Sequence, residues 1–307
     1  MSLRYLSLAI LPFAIGIDAP AHAGTQFVAS NGVNSASCTR TAPCATLSQA
    51  LINAAPNDTI VCVDTVSSSG VIIDKSIDID CSGAHSVVRD GFIVDASIFI
   101  SIPVSAKDTL RTVRLRGISI NGADGNTKFS PKGIHIVSAA VVSIEDCVVS
   151  DVQQQGILDE RTGGQTRLYI TDSIIRNNGG PGIVAAAAAT GIVALDNVRS
   201  ENNLYGIAVA TGNNVSISRS VFTGNSSAGV EGDAGAQVVV DNSTITHNNI
   251  GVQSASSVRM SNNNIAFNNT AISGVSGTFG NNRFSGNGTI GTGPTPLGGA
   301  SSDLGQQ

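Results

Sequence analysis

Apolar residues in this chain come in short alternating runs that return about every two dozen positions, too brief for amphipathic helices and too regular for loops. A glycine followed by Ile or Val recurs at Gly133-Ile134, Gly156-Ile157, Gly182-Ile183, Gly206-Ile207, Gly229-Val230 and Gly251-Val252, and Ala271-Ile272 continues the series. The spacings are 23, 26, 24, 23, 22 and 20 residues, so the repeat shortens toward the C-terminus. A second apolar column runs through Ile144, Ile170, Leu195, Ile217, Val240, Met260 and Phe279, commonly followed by Asp or Asn. Eight residues beyond that column stand Asn178, Asn203, Asn225, Asn248, Asn268 and Asn287, with Val152 breaking the pattern in the first coil.

Each repeat therefore predicts three short strands separated by turns. Strands of this length cannot bury an apolar face alone, but coils stacked on one another pair every strand in parallel with its equivalents. Inward Ile and Val then form continuous aliphatic columns. Asn recurring at one turn can bond its neighbours along the stack and tolerates a left-handed backbone. A smaller column reads Cys147, Ser173, Val198, Ser220, Ser243, Asn263 and Asn282, in which the Leu195 coil is expected to run one residue out of register. Cys147 there takes the place of a buried Ser and reads as a structural thiol.

Earlier coils are less regular: Ser76 to Asp80 and Arg114 to Asn121 carry the same strand alternation. Thr46 to Ala55 predicts a short helix with Leu47, Ala50, Leu51 and Ala54 on one face, capped by Thr46 and stopped by Pro56-Asn57-Asp58. A solenoid needs its open end covered, and this helix suits that place. Gly122 to Lys132 reads as a longer turn. At the N-terminus, Arg4, the apolar run Leu6 to Ile17 and Ala21-His22-Ala23 form an export leader, too short to span a bilayer. The division expected is a leader at 1–23, an N-terminal cap at 24–58, a solenoid of about nine to ten coils at 59–288, and a flexible tail at 289–307.

Composition changes the picture in two ways. With 4% aromatic residues and no Trp, the core must be aliphatic. With 13% charged residues and a net charge of −5, nothing suggests a basic footprint for nucleic acid. No second apolar segment is long enough for stable membrane insertion, and export makes disulfides permissible. Proximity in sequence pairs Cys38 with Cys44 and Cys62 with Cys81, although sequence does not fix connectivity. The mature chain is expected to be secreted or periplasmic.

The Gly-Ile, Asp-Ser and Asn columns resemble right-handed parallel β-helix proteins of the pectate-lyase-like superfamily, and Cys38 to Thr46 resembles the N-terminal capping region of exported bacterial members. The resemblance covers about Phe27 to Gly288 and implies an all-β fold, a right-handed parallel β-helix. It also implies that a site would lie on an outward face of one strand stack. The superfamily mixes lyases, hydrolases, epimerases and adhesins, so the fold leaves activity open. The Asn-Thr-Asp, Asp-Asp, Gly-His-Gly and Arg-Ile-Lys strings of members resembling polygalacturonases are absent.

On the outward row after the glycine column stand His135, Leu158, Val184, Ala208, Glu231 and Gln253, mostly apolar and without a repeated acid or base. One cluster can be assembled: Lys132 and His135 on one coil beside Asp159, Glu160 and Arg161 on the next. These would offer a base, an acid and a cation for proton abstraction beside a sugar carboxylate. Glu231 and Asp233 fall short of a Ca²⁺ ligand set, and His85 and His247 lack metal-ligand spacing, so neither metal nor cofactor is expected. The leading expectation is noncatalytic binding of an extracellular or envelope polysaccharide. A polysaccharide lyase or related enzyme and a structural or adhesive rod are the alternatives; oligomeric state is not legible.

Overall fold

The computed structural model describes residues 23–34, 37–89, 94–105, 107–124 and 127–297. All of the expected leader except Ala23, and positions 298–307 of the expected tail, lie outside the described residues.

The chain winds as a parallel β-helix, each coil giving one strand to each of three stacks. One coil shows the plan: Tyr205–Val209, Asn214–Ser218 and Val221–Thr223 lie in parallel beneath Ala228–Gly232, Gln237–Asp241 and Thr244–Thr246. The third stack holds ten strands among the described residues, from Ser67–Ser68 to Arg283–Ser285. At about 4.8 Å per strand, ten coils make a rod over ~40 Å long.

Alternation puts one face of each strand inside. In the first stack Val71, Ile98, Ile134, Ile157, Ile183, Ile207, Val230, Val252 and Ile272 are stacked in register and buried, so the Ile or Val after each glycine of the repeat column is a core residue. The glycine before it has a steric cause. A Cβ on Gly206 would meet the Gly229 carbonyl oxygen at 2.4 Å and the Phe222 ring at 2.6 Å.

The polar columns behave as turn ladders. Asn178 donates its backbone N–H and its Nδ2 to the Asn203 Oδ1, both at 3.0 Å. Asn225 does the same to Asn248, and Asn248 to Asn268. Just before this column the backbone is left-handed, at Asn177 (φ 57°), Asn202 (φ 53°), His247 (φ 57°) and Phe267 (φ 56°). Just before the serine column it is left-handed again, from Asp146 to Asn281. Val198 lies in register, its N–H donating to the Ser220 Oγ at 3.1 Å and Leu195 pairing with Ile217. The expected one-residue slip is thus corrected: the column residue stands three positions after the inward strand residue there, as it does at Ile170 and Ser173 or Ile217 and Ser220. Phe279 is displaced instead, because a bulge pairs Met260 with Thr278.

Coil shortening has a visible outcome. In the last repeats the turn between the first two stacks is lost, and single strands, Ile250–Ser261 and Thr270–Gly280, serve both. Parallel pairing continues past Gly288 through Thr289–Gly291 and Thr295–Pro296, within the segment expected to be a flexible tail. Gly122 to Lys132, expected as one longer turn, holds an antiparallel pairing of Ala123–Asp124 with Thr127–Lys128 and ends at the first residue of a first-stack strand.

At the N-terminal end the strand Thr25–Val28 pairs with Asp58–Cys62. The helix α1 (Leu47–Asn53) packs against both and against Val71–Ile73. Thr46 caps it by accepting from the Gln49 N–H, and Leu47, Ala50 and Leu51 face the core. Asp58, buried, accepts from the Gly24 N–H at 2.5 Å and the Ala55 N–H at 2.9 Å, tying the first strand to the helix exit. Disulfides join Cys38 to Cys44 and Cys62 to Cys81, as proximity suggested. No helix among the described residues is long and apolar enough to cross a membrane.

Candidate functional site

The outward row of the first stack runs Ile72, Phe99, His135, Leu158, Val184, Ala208, Glu231, Gln253, Ser273. Its middle is apolar, as alternation indicated. Polar chemistry gathers at two places along it, around His135 and around Glu231.

His135 lies between Phe99 and Leu158 with only 5% of its surface exposed. Phe99 meets the imidazole edge-on, centroids 5.4 Å apart. Each ring nitrogen faces a carboxylate: Nδ1 lies 2.8 Å from Asp95 Oδ1, and Nε2 lies 2.6 Å from Glu160 Oε1. A neutral imidazole has one N–H and one lone pair; only the imidazolium donates to both. Lys132 donates through Nζ to the second oxygen of Asp95. For Asp95, burial works to raise the pKa, but hydrogen bonds and charge from Lys132 and His135 prevail and hold it below the usual carboxylate value.

Of the five residues named from sequence, the fold brings Lys132, His135 and Glu160 together and sends Asp159 and Arg161 elsewhere. Asp159 stands in register with Ile136 and Ala185, on the inward side of the strand. It is fully buried and holds Arg161 by a two-pronged pair, Nε to Oδ1 at 2.7 Å and Nη2 to Oδ2 at 2.6 Å. Arg161 Nη1 donates to the carbonyls of Ala139, Ala140 and Arg167. This ion pair fastens a turn from within and offers no cation to the outward row. Charge alone cannot tell an inward position from an outward one, which is why sequence grouped all five.

Asp95 was missed. Its coil lacks the Gly-Ile marker, having Ser97-Ile98 instead. The signal available was the alternation of Ser97 to Ser101, which places that strand immediately before Lys132–Ser138.

Glu231 is half-buried on the outward row, and burial together with the neighbouring Asp233 charge pushes its carboxyl up to about 7. Among the described residues no three or more His, Cys, Asp or Glu side chains gather closely enough to hold a metal ion. Arg114 and Arg116 lie on the outward face of the second stack. Arg114 grips Glu145 at 2.7 and 2.8 Å, and Arg116 reaches Asp78 and Asp80 at 3.5 and 3.4 Å. Burial raises Asp78 against the pull of these arginines. His247 occupies a turn, stacked on Phe267. Cys147 is buried in the serine column, where burial pushes its thiol up to about 12, so it holds its proton at neutral pH.

A family model described as "Right handed beta helix region" matches residues 161–302. The solved structure of pectate lyase Pel9A superimposes with a TM-score of 0.51 at 15% identity, covering 81% of this chain and 76% of that one. The fold is the pectate-lyase-like right-handed parallel β-helix. A rhamnogalacturonan lyase (TM-score 0.43, 12% identity, 79% and 74% covered) and the Azotobacter vinelandii mannuronan C-5 epimerase AlgE4 A-module (0.41, 13%, 89% and 88%) are more distantly similar. No curated protein matches the chain by sequence. For this β-helix, the comparisons establish architecture; they transfer no residue role.

Proposed function

We propose that this β-helix is an exported protein that holds an extracellular or envelope polysaccharide without cleaving it. The observation that carries the noncatalytic part is the arrangement at His135: both ring nitrogens face carboxylates, the ring is buried, and the arginine that would complete the set is turned into the core. Proton abstraction needs a base within hydrogen-bond reach of the substrate proton, and this imidazole presents neither nitrogen outward.

Binding is supported by the second stack. Glu145, Thr171, Asp196, Ser218, Asp241 and Ser261 form one outward row along the rod, a ladder of hydrogen-bonding groups repeating at the strand spacing. A linear polymer of hydroxyl-bearing rings can lie along such a ladder. The similar fold of a pectate lyase gives a precedent for a polysaccharide on this scaffold. Two disulfides support a chain that matures in an oxidising compartment.

A second reading, a lyase or related enzyme, draws on the convergence of Asp95 and Glu160 on one imidazole, with Lys132 on the far oxygen of Asp95. Incubation of purified protein with acidic and neutral polysaccharides separates the two. Retarded migration in polysaccharide-containing gels, with no new reducing ends and no unsaturated-uronate absorbance, is the expected result. Product that disappears in His135→Ala or Glu160→Gln would establish the enzyme and overturn the proposal.

A further inference from the structure

The cluster around His135 holds the parts of a condensing site and turns them on its own chain. Asp95 stands at the end of a turn, immediately before the strand Ala96–Ser101, and Lys132 opens the strand of the next coil. Register sets Lys132 beside Ala96, so the two side chains meet across the coil boundary. Lys132 Nζ is in contact with Asp95 Oδ2, one bond from the carboxyl carbon. The other oxygen, Oδ1, lies 2.8 Å from His135 Nδ1, and Glu160 Oε1 lies 2.6 Å from Nε2 of the same ring. An amine nucleophile, a carboxyl carbon and a donor on the remaining carboxyl oxygen therefore stand together.

Water is kept from most of this cluster. Lys132 has 14% of its side chain exposed and His135 7%. Phe99 meets the imidazole edge-on, and Leu158, outward on the next coil, is itself buried. Asp95 keeps one open side, with 34% of its side chain exposed. Lys75 and Lys128, by contrast, direct Nζ to backbone carbonyls. Holding opposite charges away from water is costly, and a reaction that removes both charges relieves that cost.

We propose that Lys132 and Asp95 condense into an isopeptide bond, a covalent clasp between two coils. Nζ first hands a proton to Oδ2, leaving a neutral amine beside a neutral acid. Nζ then attacks Cγ, and the carbonyl electron pair moves onto Oδ1, where the His135 imidazolium donates to it. The Cγ–Oδ2 bond breaks as Oδ2 takes a second proton from Nζ and departs as water through the open side of Asp95. The carbonyl re-forms, the third proton stays on the amide nitrogen, and the two opposite charges have cancelled. His135 ends as it began, held protonated by Glu160. Groups fixed in contact react at effective concentrations far above those of free solutes, which favours the amide over the separated pair. The clasp extends further into the rod the covalent ties that Cys62–Cys81 begins, at a coil without the Gly-Ile marker. It stands apart from the polysaccharide reading, since a bond made within the chain requires no ligand.

Intact mass of the full chain, reduced and denatured, tests the clasp. The wild type is expected to be one water lighter than its sequence requires, and Lys132→Arg and Asp95→Ala to carry their full mass. Trypsin should leave Lys132 uncut and yield residues 90–107 joined to residues 129–161. His135→Ala should slow the loss of water roughly a hundredfold, the scale of a lost oxyanion donor, read as mass against time after purification. Full mass in the wild type after prolonged incubation at neutral pH would overturn the proposal, and this reading needs no variant to fold. Water lost without a joined fragment, or lost equally from Lys132→Arg, would overturn it as well, by placing the dehydration elsewhere in the chain.

Discussion

Arg161 is the largest fully buried side chain among the described residues, and Asp159 beside it is fully buried as well. Taking either ion from water costs several kcal/mol unless the pair and its hydrogen bonds compensate. Arg161→Met therefore leaves a buried carboxylate without its cation, and a loss of about 3–5 kcal/mol is expected in denaturant titration. The double change Asp159→Leu with Arg161→Met should recover most of that loss, since neither charge then remains inside. Equal loss in single and double variants would mean that the carbonyl contacts of Arg161, not the ion pair, hold the turn. Glu231 makes the opposite kind of prediction. Its folded carboxyl titrates at about 7, above the ordinary value of 4.5, so the folded state binds the extra proton between those values. Stability from this group is present below the unfolded pKa and is lost as pH rises through the folded one. Thermal melts should place Glu231→Gln above the wild type at pH 8 and level with it at pH 4.

At the level of the repeated element, the glycine column and the Asn ladder depend on each other. Gly206, Gly229 and Gly251 leave room for the next coil's carbonyl and for an Asn side chain, which a Cβ would meet within about 3 Å. Gly206→Ala must push aside the Gly229 backbone and the Phe222 ring, and an overpacking loss of about 1–3 kcal/mol is expected. Gly163→Ala, where a Cβ meets nothing within 4 Å, should leave the melting temperature within a degree or two (about 0.5 kcal/mol). A matched change at both positions would show that the close contacts at Gly206 do not set the cost, since the unfolded-state entropy that Ala removes is the same at each. The ladder also explains why an Asn-rich chain is stably folded. Buried amides bonded along the stack leave the turn's donors satisfied, as buried polar groups must be.

Across the whole molecule the ends differ in how they are secured. The N-terminal end carries the helix and both disulfides, whereas the described C-terminal strands, Thr289–Gly291 and Thr295–Pro296, are largely exposed. Solenoid stability is close to a sum of neighbouring interfaces, so opening should begin where the interface is thinnest. Hydrogen exchange is expected to be fastest in the last coils. Replacing Cys62 and Cys81 by Ala opens a loop of sequence separation 19, a change worth about 3 kcal/mol in the chain-entropy view. Its effect should stay in the first coils, with the amides of Gln237–Asp241 exchanging as before. Uniform acceleration would show that the rod unfolds as one unit.

Periodicity alone determined the strand stacks, the inward Ile and Val columns, the Asn ladder and the place of Cys147, because each follows from local alternation repeated at a fixed spacing, and the capping helix followed from its one apolar face and its end signals. The same reasoning correctly found the outward row from His135 to Gln253. It could not decide which charged residues share a space. Glu160, Asp159 and Arg161 are consecutive, yet one faces His135 and two fasten the core, since the chain turns between them. Asp95 joins His135 across a coil without the repeat's marker. Those relations join residues roughly 25 to 40 positions apart or depend on where a turn points, and only the stacked coils decide them.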